Sequence, residues 1–239
     1  MAAQLAGQFE KQRALLRAVA HELRTPLARL RFAQELLVAD DAQGLGSEQS
    51  AETEHDAHAR DARQSLDELE TLVDELLVRA RLDYGTPLAL AEVELGGLLL
   101  RLLADSREAE TVPVRLAGEV VSCQVTAEPT LLRRALWNLL SNAQRHARAQ
   151  VVVSVEHEPR RVRIHVDDDG AGIPAEDRKR IFEPFIRLDT SRDRRQGGVG
   201  LGLSIARQAL RAFGGSIEVL ESPFGGCRFT VELPRRTAG

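Results

Sequence analysis

Ala18-Val19-Ala20-His21-Glu22-Leu23-Arg24-Thr25-Pro26-Leu27-Ala28-Arg29-Leu30 lies in a run whose apolar positions recur in steps of three and four: Leu16, Val19, Leu23, Pro26, Leu30, Ala33 and Leu37. That spacing is a heptad seam on one long helix. With Leu16 and Leu23 at position a, His21 falls at f, furthest from a bundle core. Glu22 can turn its carboxylate back toward the ring, fixing one imidazole nitrogen as N–H and leaving the other as a nucleophile. Thr25, four residues on, shares the face of His21. Pro26 removes the N–H that would bond the Glu22 carbonyl and crowds that carbonyl, so the helix is expected to bend just below His21.

Outward from this stretch, one helical pattern runs from about Phe9 to Asp40. Gly44 and Gly46 stop it, and Ser47 is a candidate N-cap for the next helix. A second seam follows through Ala59, Ala62, Leu66, Leu69, Val73, Leu76 and Ala80. Each helix has a narrow apolar stripe and a charged back. A lone hairpin cannot bury both stripes in water, so two hairpins are expected to pair as a four-helix bundle, making a homodimer. The joining segment, from Ala42 to about His58, is long and acidic, and His55 and His58 are expected in a solvated turn.

Composition narrows the function classes. The chain has 239 residues and a net charge of −4, with arginines scattered among acids, which gives no sign of a nucleic-acid surface. Only Lys11 and Lys179 are lysines. Cys123 and Cys227 stand alone, without metal or redox spacing, as suits a reducing compartment. No signal peptide is expected before Leu5, and no apolar run approaches the roughly 20 residues that span a bilayer, so this fragment is expected to make no membrane contact.

Gly85 and Pro87 interrupt the helical pattern and mark a hinge, which divides the chain into residues 1–84, a hinge at 85–87, and residues 88–239. Beyond it the periodicity predicts a helix from about Leu95 to Ala109 and short strands at Val112 to Leu116 and Val120 to Val125. A helix from Pro129 to Ala147 follows, then strands at Val151 to Glu156 and Arg161 to Val166. A helix from Leu201 to Phe213 and strands at Ser216 to Leu220 and Arg228 to Leu233 complete the pattern. Strands and helices mixed on this scale form a two-layer α/β sandwich.

Several motifs in this second part carry chemistry. Asn138 and Asn142 stand one helical turn apart, so two amide oxygens on one face can help hold a hydrated Mg²⁺, while Arg145 can meet phosphate. His146 is its neighbour. In Asp167-Asp168-Asp169-Gly170-Ala171-Gly172-Ile173 a carboxylate can accept the exocyclic amino group of adenine while the glycines let backbone approach the ring. Gly197-Gly198-Val199-Gly200-Leu201-Gly202-Leu203 opens a helix whose free N–H groups can meet phosphates, and it lacks the lysine of a P-loop. Between them lie Ile181-Phe182-Glu183-Pro184-Phe185, Arg187 and a charged stretch with the low apolar content of a mobile loop.

Together these blocks resemble the bacterial two-component sensor histidine kinases. His21 to Leu27 is similar to their H-box, Asn138 to Ala143 to their N-box, and Asp168 to Ile173 to their G1 box, with Asp168 as the registered acid. Phe182 and its neighbours resemble the F-box, Gly198 to Leu203 the G2 box, and Phe224 to Phe229 the closing hairpin. The run from Arg17 to Phe32 resembles the proteobacterial subgroup with transmembrane sensors. His146 stands where an aromatic is usual, Trp137 where an acid is common, and Cys227 where threonine is usual.

The resemblance implies that the sandwich is of the histidine-kinase, gyrase and Hsp90 ATP-binding type. It implies that ATP and Mg²⁺ are bound, that Asn142 with Asn138 carries the metal, and that Asp168 reads adenine. Arg145, Arg187 and the turn from Gly198 to Gly202 would cradle phosphates. His21 would be phosphorylated, Glu22 would orient it and take its proton, and a response-regulator aspartate would receive the group. That partner would dock around Ala28, Arg31, Phe32 and Glu35, and Thr25 would position water for its dephosphorylation. The fragment would be the cytoplasmic portion of an inner-membrane receptor. Two other readings share the fold: an ATPase that needs no His21, and a nucleotide-regulated docking or phosphatase module without autokinase activity.

Overall fold

The computed structural model describes residues 19–20, 23, 26–30, 32, 48–83, 87–109, 112–118, 123–188 and 200–235. The chain divides into two compact units, Met1–Val78 and Arg79–Gly239.

In the first unit every described residue is helical. Pro26 is buried, with Leu23 and Leu30 half-buried, while Leu27 and Phe32 are exposed. The bend expected near Glu22 lies outside the described residues. Helix α1 (Glu48–Asp83) begins directly after Ser47, where a cap is expected. It takes in His55 and His58, so these sit in a helix and not in the expected turn. The acidic run there lacks an apolar stripe, yet its Ala, Glu and His residues are all compatible with helix once the glycines are passed. Along α1, Ser65, Leu72 and Glu75 are buried within the chain. Leu66 and Val73, both on the predicted seam, are exposed and line a groove with Leu69 and Glu70.

The second unit is a two-layer sandwich. Strands β2 (Val114–Ala117), β4 (Val151–His157), β5 (Arg161–Asp168), β6 (Ser216–Glu221) and β7 (Cys227–Pro234) form one sheet in the order β2-β4-β5-β7-β6. The β2–β4 pair is parallel and the others are antiparallel. Helices α2 (Leu95–Ala109), α3 (Pro129–His146) and α4 (Gly202–Ala212) make the second layer. The alternation of the strands decides which side chains they meet. Val153, Ile164 and Val166 share a small apolar void with Leu99, Leu102 and Leu103 of α2 and Leu136 and Leu140 of α3.

Strand β1 (Ala91–Glu94), absent from the sequence reading, pairs antiparallel with β3 (Gln124–Ala127) in a separate two-stranded sheet. It is four residues long and buries only Val93, too little for an alternating pattern to register. Helix starts are capped by acids: Glu94 accepts from the N–H groups of Gly96 and Gly97, and Glu128 from that of Leu131 ahead of Pro129 at the first helical position.

Leu139 of α3 is fully buried, whereas Leu100 of α2 is 56% exposed. Leu139→Ala is expected to lower the unfolding free energy by about 3 kcal/mol in urea titration. Leu100→Ala is expected to change it by less than about 0.5 kcal/mol.

Candidate nucleotide site

Strand β5 ends in three acids, and the strand period sends the first two to opposite faces of the sheet. Asp167 points away from the helices and pairs with Arg228 through two hydrogen bonds of 2.8 and 2.9 Å. Asp168 points toward the helix layer and is 1% exposed. Its Oδ1 accepts from the Gly170 N–H at 2.8 Å and from the Cys227 N–H at 3.1 Å. Oδ2 takes no hydrogen bond among the described residues. Asp169, past the strand, accepts from the N–H groups of Arg148, Ala149 and Gln150 and so fixes the chain leaving α3.

The environments of Asp168 and Asp169 drive these neighbouring carboxyls in opposite directions. Burial pushes the Asp168 carboxyl above its ordinary value, against the two backbone N–H groups and the nearby His146. For Asp169 desolvation is the largest single effect, but the backbone donors together outweigh it and hold the carboxyl below that value. The Cys227 thiol, desolvated and facing Asp168, is pushed up to about 12 and stays neutral.

Glycines let the surrounding backbone close in. A Cβ on Gly170 would collide with the His146 carbonyl, and one on Gly226 would lie well inside contact distance of Asp168 Oδ1 and the Gly170 nitrogen. Gly172, at φ 76°, sits against the carbonyls of Gly225 and Gly226. Ile173 is half-buried, and its carbonyl accepts from Arg178 at 3.1 Å.

Helix α3 lays Asn138 and Asn142 on one half-buried face, with Arg145 and His146 exposed in its last turn. Asn138 Nδ2 donates to the Gly202 carbonyl at 3.0 Å, which ties α3 to the start of α4. The side chain of Asn142 has no hydrogen bond among the described residues. Leu201 is fully buried and Leu203 half-buried, so they seat α4, while Gly200 at φ 75° opens it. Phe182 is a core residue, edge-on to Phe229 with ring centroids 6.4 Å apart, and Arg187 is exposed. Sequence reasoning missed Arg228, whose alternation opposite Asp167 was a readable signal, and the hold of Asp169 on the backbone after α3. His21, Glu22, Thr25 and Gly198 lie outside the described residues.

Residues 127–237 match the family described as histidine kinase-, DNA gyrase B- and HSP90-like ATPase, and residues 11–85 match the His Kinase A (phospho-acceptor) domain. The chain belongs to the bacterial two-component sensor histidine kinases. It is 38% identical over 236 residues to the sensor protein RstB of Escherichia coli, covering 98% of this chain and 51% of that one. Like other curated relatives, RstB is about twice as long as this chain. Among solved structures, the ATP-binding domain of PrrB from Mycobacterium tuberculosis superposes with a TM-score of 0.52 at 28% identity, over 62% of this chain and 98% of that one. Full-length ShkA in complex with AMPPNP gives 0.63 at 27% identity, over 95% of this chain and 46% of that one.

Gly226→Ala is expected to break the junction between Asp168, Gly170 and Cys227, because both neighbours are backbone or buried and cannot move aside. A loss of about 2 kcal/mol in unfolding free energy is expected by thermal or urea denaturation. Gly225→Ala, where a Cβ meets nothing within 4 Å but φ is 91°, is expected to cost about 1 kcal/mol through backbone strain alone.

Proposed function

We propose that this chain is the kinase portion of a sensor histidine kinase that transfers the γ-phosphoryl group of ATP to His21 and then to an aspartate of a response regulator. The observation that carries the reading is the buried Asp168 carboxylate with one oxygen uncommitted among the described residues, set between the glycine turns at Gly170 and Gly226. An adenine amino group is the donor such an oxygen suits, and the N–H groups opening α4 suit phosphates. The phospho-acceptor match over residues 11–85 supports a kinase over an ATPase of the same fold.

In this reading the imidazole nitrogen of His21 attacks the γ-phosphorus in line. The bond from phosphorus to the bridging oxygen breaks, ADP leaves, and the proton of the ring passes to Glu22. Little covalent chemistry is asked of the protein beyond positioning and charge neutralisation. Arg145, Arg187 and the Gly198 to Gly202 turn hold phosphates, and His146 flanks the base beside Gly170, Gly172 and Ile173. Phe182 and Leu201 act from the core by seating the flanking turn and α4.

The residues present fit a magnesium ion. Among the described residues the Oδ1 of Asn138 receives no donor, its amide nitrogen being the end tied to Gly202, and the Asn142 amide is uncommitted. Asn142, with Asn138 assisting, would hold it, and the ion would neutralise phosphate charge. Thr25 would serve a phosphatase step by positioning water.

The exposed Leu66 and Val73 support a homodimer, since a second copy would cover the groove they line. The hinge between the phospho-acceptor and ATP-binding domains is placed at residues 85–87, separating 1–84 from 88–239. The response regulator would dock around Ala28, Arg31, Phe32 and Glu35. No described helix is long and apolar enough to cross a membrane. The relatives' greater length leaves room for a membrane-bound sensor, with this portion in the cytoplasm.

Incubation with γ-labelled ATP and Mg²⁺ is expected to label wild type with a group lost in acid and kept in alkali, and to leave His21→Gln unlabelled. Label persisting on the variant would refute the assignment of His21.

ATP affinity should also follow the state of Asp168. Its raised pKa means the ionised form costs stability above that value, a cost relieved as pH falls through it, while the same protonation turns the adenine acceptor into a donor. Affinity measured by equilibrium dialysis is therefore expected to be flat at neutral pH and to fall on acidification. Asp168→Asn should lose at least about tenfold at pH 7 and lose the pH dependence arising from this carboxyl.

A further inference from the structure

Arg207, on α4, takes no part in the mechanism above and is half-buried. Its Nη2 donates to the Phe182 carbonyl at 2.9 Å, and its guanidinium carbon lies 5.3 Å from the centroid of the same ring. That ring is fixed on its other side, edge-on to Phe229 of β7. One side chain thus grips both the backbone and the ring of the last residue of the Arg180–Phe182 turn.

Three residues further along, Phe185 adopts φ 62°, the single non-glycine residue with positive φ among those described. Its N–H donates to the Gly200 carbonyl at 2.9 Å, and Gly200 is packed so closely that a Cβ would lie 3.0 Å from the Phe185 Cα. This junction is where the chain enters α4. A bulky residue in the left-handed region is strained and persists only when its surroundings over-determine it. Arg207 supplies that constraint from α4 itself.

We infer that Arg207 is a positioning residue for the nucleotide site, clamping the Arg180–Phe182 turn onto α4 and thereby fixing the Phe185–Gly200 junction that aims the phosphate-binding end of α4. A purely structural role fits less well. Among the described residues no carboxylate lies within 4 Å of this guanidinium, and burial, with Arg211 nearby, lowers its pKa against the more distant charge of Glu183. An apolar side chain would pack the same space without a desolvated charge. A planar donor that also stacks can hold a carbonyl and a ring at once, which lysine does less well and methionine only by its stem.

The inference rests on the ATP-binding reading above and is tested with two independent measurements on the full chain. The first is amide hydrogen exchange without nucleotide. Arg207→Met, which keeps the packing of the stem, is expected to speed exchange at Glu183 and Phe185 at least tenfold with a melting temperature within about 3 °C of wild type. Unchanged exchange would overturn the clamp. The second is ATP titration of autophosphorylation. Arg207→Met is expected to raise KM about tenfold with kcat within twofold, and Arg207→Lys to recover most of the loss. An unchanged KM, or a KM defect that tracks only a lowered melting temperature, would overturn the positioning role while leaving the kinase reading intact. Wild type that binds no ATP would overturn both.

Discussion

One carboxylate oxygen, Oδ1 of Asp168, joins two segments that are almost sixty residues apart. It accepts the N–H of Gly170 on the turn after β5 and the N–H of Cys227 at the start of β7. Both donors are buried backbone groups that no other described residue satisfies in this way, and leaving them unpaired would cost more than the bonds themselves contribute. The turn at Gly170 and the start of the closing strand are tied together by this contact. Gly170 and Gly226 are glycine because any Cβ there would strike the carboxylate or the His146 carbonyl.

The three consecutive acids show how the same side chain acquires different work from its place in a strand. Asp167 and Asp168 are adjacent, so pleating sends one to Arg228 on the outer face and the other into the helix layer. Asp169 has left the strand and serves the backbone beyond α3. Charge alone would make this cluster a solvated turn. Register against β7, where Asp167 opposes Arg228 and Asp168 lies beside Cys227, makes it an ion pair, a buried carboxylate holding two backbone N–H groups, and a brace for the chain beyond α3.

Much of this was legible in the sequence, for identifiable reasons. Helix α2 has the predicted bounds, Leu95 to Ala109, because Glu94 supplies a cap and the apolar spacing that follows is strictly helical. Strands β4 and β5 were readable from their β-branched runs. The motif picked Asp168 over its neighbours; Asp167 is buried as well, and the two differ in the face of the sheet they occupy, not in exposure. Apart from Arg228, what escaped detection depends on long-range pairing or on a helix without an apolar stripe. Strand β1 exists because β3 offers it a partner, the start of α1 carries no apolar stripe, and Arg207 meets Phe182 across 25 residues of chain. No local pattern encodes such contacts.

Cys227 shows why a departure from a family pattern can leave a site intact. What the Asp168 contact requires of position 227 is a backbone N–H, which cysteine supplies as well as threonine. The thiol would do harm only if it ionised, because a thiolate beside the Asp168 carboxylate would set two like charges in a desolvated pocket. Desolvation and Asp168 together push the thiol to about 12, so the carboxylate that could be harmed helps keep its neighbour neutral. The group is buried and protonated, which also removes the thiolate that oxidants attack. The substitution therefore changes the side chain beside Asp168 while preserving the charge and the backbone geometry on which that carboxylate depends.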